Sequence, residues 1–155
     1  MDAELSIFWF RRDLRLEDNT GLSKALASGK KVLPIFIFDD NITEELPRDD
    51  ARISFIYGSL RKINNFLLSC QSSIEVYQGD PCDIWNTLTR KYNVAEVYFN
   101  RDYEPYALER DEKVCKLLAS KGINCYIFKD QVIFENDEVI KPDGKPYTVY
   151  TCLLY

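Results

Sequence analysis

Arginines and carboxylates crowd together at two places in this chain and carboxylates alone at a third, each at the end of an apolar run. The first is FWFRRDLRLEDN, Phe8 to Asn19, where Arg11, Arg12 and Arg15 fall within five residues and interleave with Asp13, Leu14 and Leu16. The second is Asn100-Arg101-Asp102-Tyr103-Glu104, and the third closes the run VLPIFIF with Phe36, Phe38, Asp39 and Asp40. Charges this dense at the ends of buried segments are expensive unless they pair or face a ligand. Brought to one edge, they make a crevice of arginines, acids and aromatic faces, suited to a planar, heteroatom-rich ligand. Other chemistries lack their residues. There is no Gly-rich phosphate loop, no nucleophile elbow and no carboxylate pair at a recognisable spacing, so no catalytic residue is assigned. With no histidine and no C-x-x-C among five cysteines, no metal site is expected. Reduced, mostly buried thiols of a cytoplasmic protein are the reading for Cys70, Cys82, Cys115, Cys125 and Cys152.

The elements that must position these groups follow a strand-helix rhythm. Five short apolar runs, 5–10, 32–38, 73–77, 95–99 and 124–128, are near-continuous rather than alternating, as in parallel strands covered on both faces. Pro34 donates no ladder bond and belongs at a bulge or an unpaired position. Asn19 caps a first helix that ends near Gly29, and Asp49 or Asp50 starts a long second one. That helix carries the stripe Ile53, Ile56, Leu60, Ile63, Leu67. Asp80-Pro81 opens a third, and Glu104-Pro105 a fourth that buries Leu108, Cys115, Leu118 and Ala119 before Gly122. Parallel strands need crossover helices, so the expectation is an open α/β sheet of order 3-2-1-4-5 with helices on both faces. Its switch point lies between the loops after the first and fourth strands. Asp111, on or beside the inward stripe of the fourth helix, wants an arginine, and Arg12 or Arg15 is the expected partner.

A chain of 155 residues suits one domain with a sizeable core. The net charge of −5 argues against direct nucleic-acid contact, because phosphate neutralisation needs a basic surface. Met1–Glu4 is acidic and no basic segment precedes the first apolar run, so no signal peptide is expected. No apolar stretch reaches the roughly 20 residues that span a bilayer, and a cytoplasmic monomer without membrane contact is expected. After residue 128 the rhythm breaks. A turn signal, Lys141 to Pro146, is followed by Cys152-Leu153-Leu154-Tyr155, which reads as the cut end of something longer.

The block FWFRRDLRLEDN resembles the amino-terminal signature of the DNA photolyase/cryptochrome family. The likeness continues through ARISFIYGSL (51–60), QGDP (78–81), VYFNRDYEPYALERDEKV (97–114) and GKPYTVYT (144–151). The resemblance implies a Rossmann-like antenna domain over 1–128 and an exit segment over 129–155. That segment would lead to a helical domain, absent here, which binds FAD and UV-damaged DNA. It also implies a light-driven pyrimidine-dimer-splitting enzyme as the parent protein, with the fragment itself inactive. Folate-type members carry an Asn-Glu pair where Tyr106 and Ala107 stand here, which puts a deazaflavin or flavin antenna ahead of folate. The positions matching such an antenna site are Arg11, Phe36, Asp39, Asp102 and Glu104. Two alternatives stay open: a cryptochrome-like blue-light photoreceptor without repair activity, and a stand-alone nucleotide-binding α/β protein.

Overall fold

A computed structural model describes residues 4–47, 49–135, 138–141 and 143–145. Pro142, Pro146 and the tail through Tyr155 lie outside these residues, and with them most of GKPYTVYT and of the cut-end reading. Strands β1 (Leu5–Phe10), β2 (Lys31–Asp39), β3 (Glu75–Gly79), β4 (Val94–Asn100) and β5 (Asn124–Phe128) form one sheet. All four pairings are parallel and the order is β3-β2-β1-β4-β5, as expected.

β1 fails as anything but a central strand, because Ile7, Phe8, Trp9 and Phe10 are each at most 2% exposed. Alternation divides them between two cores. Ile7 and Trp9 join Trp85, Leu88, Val97, Phe99, Val114 and Leu118 on one face. Phe8 and Phe10 join Leu22, Ala25, Phe36, Leu60 and Ile63 on the other. Helices α4 (Pro81–Lys91) and α5 (Pro105–Ala119) therefore cover the first face, and α1 (Thr20–Ala27) and α3 (Ala51–Ser69) the second. Trp9 meets Trp85 and Phe99 edge-on, both with ring centres 5.6 Å away, a geometry that favours aromatic pairs.

The caps are where the residue types demanded them. Asn19 accepts from the Leu22 amide, Asp50 from Arg52, and Asp80 from Cys82 and Asp83 with Pro81 in the first turn. Gly122 closes α5 at φ 76°, where a Cβ would be strained. Gly21 answers a different need: a Cβ there would sit 2.7 Å from Asn100 Oδ1 and 2.9 Å from the Phe8 ring.

Several expectations are displaced. The third strand is Glu75–Gly79 rather than 73–77, because the Ile74 amide donates to Asn64 Oδ1 and pairing with β2 starts at Glu75. It is an edge strand with alternating burial, and β5, at the other edge, has no fully buried residue, so only the central strands show two covered faces. Pro34 needs no bulge. It keeps register with Phe8 and stands one residue before β3 pairing begins, where no ladder bond on that side is lost. A four-residue helix, α2 (Asp40–Thr43), follows β2 directly and was not expected.

The inward face of α5 is Ala107, Asp111, Val114 and Leu118, whereas Leu108 is 45% exposed and Ala119 lies outside. The stripe is centred on Asp111, which pairs with Arg11 beneath the helix and with its helix neighbour Arg110, so the apolar residues beside it are turned outward. No helix among the described residues is long and apolar enough to cross a membrane.

Candidate functional site

Order 3-2-1-4-5 makes the chain leave β1 toward one side of the sheet and β4 toward the other. The carboxyl ends of β1, β2 and β4 therefore open onto one crevice, the general ligand position of such sheets. It is an open groove of about 1130 Å³, floored by Trp9 and walled by Phe36, Phe38, Ile53 and Ile56. Arg12, Asp39, Asp102, Glu104, Tyr106 and Arg110 supply its polar lining.

Beneath the groove the first polar layer is a lock. Asp13 accepts from the Arg11 amide at 2.8 Å and from Asn100 Nδ2 at 2.5 Å. Asn100 Nδ2 also donates to Asn19 Oδ1, while its own Oδ1 accepts the Gly21 amide at 2.8 Å. Asp13, Asn19 and Asn100 are all buried, so this network joins the ends of β1 and β4 to the start of α1 with its polar atoms paired.

Arg11 forms the second layer. Its guanidinium lies between the rings of Trp9 and Phe99, 4.2 and 4.1 Å from their centres, and its Nη1 donates to Asp111 at 2.5 Å. Burial pulls its pKa down to about 10 against the opposing attraction of Asp111. The other Asp111 oxygen takes Arg110 at 3.1 Å. The expected partners of Asp111, Arg12 and Arg15, are elsewhere. Arg12 reaches Asp102 at 3.3 Å and Glu104 at 2.6 Å, and Arg15 reaches Asp130 at 2.6 Å. The correction follows from strand parity. Ile7, Trp9 and Arg11 project to the α5 side, and Arg12 does not.

The third layer faces the groove directly. Asp39 caps α2 through the Asn41 amide at 3.1 Å, and its Oδ2 accepts the Tyr106 hydroxyl at 2.6 Å. Arg110 Nη1 stands 3.8 Å from that same oxygen and over the Trp9 ring. Burial, with the Asp39 hydrogen bond second, pushes the Tyr106 hydroxyl up to about 12, so it is a proton donor at neutral pH. Arg12, through its bond to Glu104, is fixed as a cation at the rim.

All five residues singled out from the sequence border the groove. Asp39, Asp102 and Glu104 lie at its edge, Phe36 belongs to its apolar wall, and Arg11 is buried below it in the ion pair with Asp111. Arg110 was missed, and Tyr106 had been weighed only against folate. The signal available was their spacing of four, which stacks them on one face of α5. No group of three or more His, Cys, Asp or Glu among the described residues is arranged to hold a metal.

Comparison with known proteins is consistent with this geometry. The family model for DNA photolyase matches residues 6–154. A deoxyribodipyrimidine photo-lyase from Synechococcus is 33% identical over 144 residues, covering 93% of this chain and 30% of the relative. Cryptochrome-2 of Gallus gallus is 32% identical over 94% of this chain and 25% of its own length. The crystal structure of an archaeal photolyase from Sulfolobus tokodaii superposes with a TM-score of 0.80 at 32% identity, over 89% of this chain and 32% of that one. The chain thus spans about a third or less of these relatives. The sheet order, the polar switch point and a match over nearly every residue establish that the chain belongs to the DNA photolyase family.

Proposed function

We propose that this chain is the antenna-binding domain of a light-driven, FAD-dependent photolyase that splits pyrimidine dimers. We further propose that its groove holds a flavin or deazaflavin chromophore in preference to a folate. The observation carrying this reading is the row Arg110, Asp39, Tyr106. It presents an N–H donor, a carboxylate acceptor and an O–H donor side by side, with separations of 3.8 and 2.6 Å at Asp39 Oδ2. A flavin or deazaflavin carries the complementary edge, a carbonyl, an imide N–H and a second carbonyl. Arg110 would donate to one carbonyl, Tyr106 would turn its single proton from Asp39 to the other, and the freed Asp39 oxygen would accept the imide proton. Phe36 and Phe38, edge-on to each other at 4.9 Å, offer apolar wall to the ring system. Asp102 and Glu104 hold Arg12 at the rim, and Arg11 anchors α5 so that Arg110 and Tyr106 keep their aim. A bound chromophore would supply light absorption; the chain's own residues bind, orient and shield it.

FAD and the damaged DNA belong, in this reading, to the part of the longer protein beyond this chain, toward which residues 129 onward lead. The Sulfolobus tokodaii photolyase is described with two FAD molecules and an implied novel light-harvesting cofactor, which supports a flavin in this type of domain. The likeness to Gallus gallus Cryptochrome-2 favours a second reading, a photoreceptor without repair, and a repair assay on the complete protein separates the two.

Titration with FMN, a deazaflavin and a folate tests the groove, read by chromophore absorbance and by quenching of Trp9 in its floor. FMN and the deazaflavin should bind, and Asp39→Asn and Arg110→Met should each weaken them about tenfold or more, the loss of a charged hydrogen bond. Binding of folate alone would overturn the chromophore assignment. Dimer splitting by this chain alone would overturn the placement of catalysis outside it.

A further inference from the structure

Tyr98 and Tyr126 are the one pair of tyrosine rings in contact among the described residues. They stand opposite each other in the register of β4 and β5, so both side chains leave the sheet on the face that α1 covers. Their ring centres are 5.0 Å apart and the planes are inclined by 31°, which lays one ring over the other. Phe128 lies parallel to Tyr98, 6.2 Å centre to centre, and limits its swing. The two tyrosines differ in surroundings. Tyr98 is 7% exposed, and its hydroxyl donates at 3.0 Å to Glu96 Oε2, the oxygen that also takes Lys30 at 3.3 Å. Tyr126 is 38% exposed on an edge strand, with no further strand beyond it. Neither lines the groove described above.

We propose that Tyr98 and Tyr126 are an oxidative cross-linking site, which a haem peroxidase with hydrogen peroxide joins as a dityrosine between β4 and β5. The exposed Tyr126 ring gives up the first electron and releases its hydroxyl proton to water. The hole then passes to the ring beside it, and Tyr126 takes a proton back. Tyr98 can carry the hole because its own hydroxyl proton has an acceptor in place, the Glu96 carboxylate. A second oxidation makes Tyr126 a radical again, and the two rings couple through carbons next to their hydroxyls. Each coupled carbon loses its hydrogen as a proton and each oxygen regains one, which restores two phenols. In all, two phenols lose two electrons and two protons, and one hydrogen peroxide becomes two waters. Tyr77 and Tyr92 lack this arrangement: both donate to Glu75, but their rings do not meet. The consequence is mechanical. β5 pairs with β4 alone, so the bond fixes the edge strand and the start of the segment that Asp130 ties to Arg15 and Thr20.

The test uses the whole chain, its accessible thiols blocked with N-ethylmaleimide, treated with a haem peroxidase and graded hydrogen peroxide, then digested with trypsin. The expected product joins the peptides 92–101 and 122–129, two hydrogens lighter than their sum, and carries the blue fluorescence of dityrosine. Its yield per molecule should not depend on protein concentration. Tyr98→Phe and Tyr126→Phe should each abolish it, whereas Tyr92→Phe, at the other tyrosine of the first peptide, should leave it unchanged. Glu96→Gln should slow its formation severalfold, because the Tyr98 proton then lacks its acceptor. No joined peptide at any peroxide level, or one that survives Tyr98→Phe, would overturn the proposal. So would a yield no higher in the native chain than in denaturant. An undiminished rate in Glu96→Gln would overturn the part given to Glu96.

Discussion

At the scale of single residues, Asp111 decides how the site is held. It is the only carboxylate that both Arg11 and Arg110 reach at close range among the described residues, and Arg11 has lost nearly all its water. Asp111→Asn keeps the shape but leaves a buried guanidinium without its counter-charge, which should cost about 3–5 kcal/mol in urea unfolding. Arg11→Met combined with Asp111→Asn should cost less than the sum of the two, because the stranded charge is then gone. Asp130 makes a second, pH-dependent tie. Burial raises its pKa, but the Thr20 amide and Arg15 together outweigh that and hold it below the ordinary 3.8. A carboxylate depressed in the folded state contributes stability that is complete above its unfolded pKa and is lost as pH falls through the folded value. Asp130→Asn should therefore flatten the acid limb of a stability-against-pH curve below pH about 4 and change little of its slope at neutral pH.

At the scale of elements, what was legible came from local signals and what was not came from tertiary partners. Asn19, Asp50 and Asp80 announce their helices because a cap needs only its own first turn. The five strands announce themselves by apolar runs, yet the ends of β3 are set by Asn64 and by β2, which no local window contains. The groove was legible at Asp39, Asp102 and Glu104, since charge after a strand marks a loop at the sheet's edge. Arg110 was hidden because a mid-helix arginine ordinarily points to water, and its burial depends on Trp9 and Asp39 from two separate strands as well as on its neighbour Asp111. The face of α5 was misjudged for the same reason, and that error is measurable. Leu118→Ala, at a fully buried position, should cost about 2–5 kcal/mol, whereas Leu108→Ala should stay within about 0.5 kcal/mol. Comparable losses at both sites would mean that α5 sits in a different rotation, and Arg110 and Tyr106 would then leave the groove.

At the scale of the whole molecule, charge weighs against direct nucleic-acid contact by this chain. The excess of acid is −5, but the more telling feature is how the cations are spent. Arg12, Arg15, Lys91, Arg101, Lys116 and Lys129 are each committed to a carboxylate of this same chain. At those six positions a phosphate backbone would have to break the pair first, and it would approach a chain of net charge −5. Non-specific affinity for DNA rests on cations free to displace condensed counterions, with log affinity falling as log salt rises. On the photolyase reading proposed above, this chain should show no salt-dependent retention of a duplex carrying pyrimidine dimers, whereas the complete protein should retain it with a steep salt slope. Fluorescence anisotropy across a salt series measures both. A slope for the isolated chain matching three or more phosphate contacts, roughly −3 in the log-log plot, would place part of the DNA surface on this domain. The Arg12 rim would then be the first place to look, since its guanidinium is more than half exposed even when paired. Arg12→Gln should lower that slope by about one if the rim takes part, and leave it unchanged if Arg12 serves only to tie Asp102 and Glu104 to the groove.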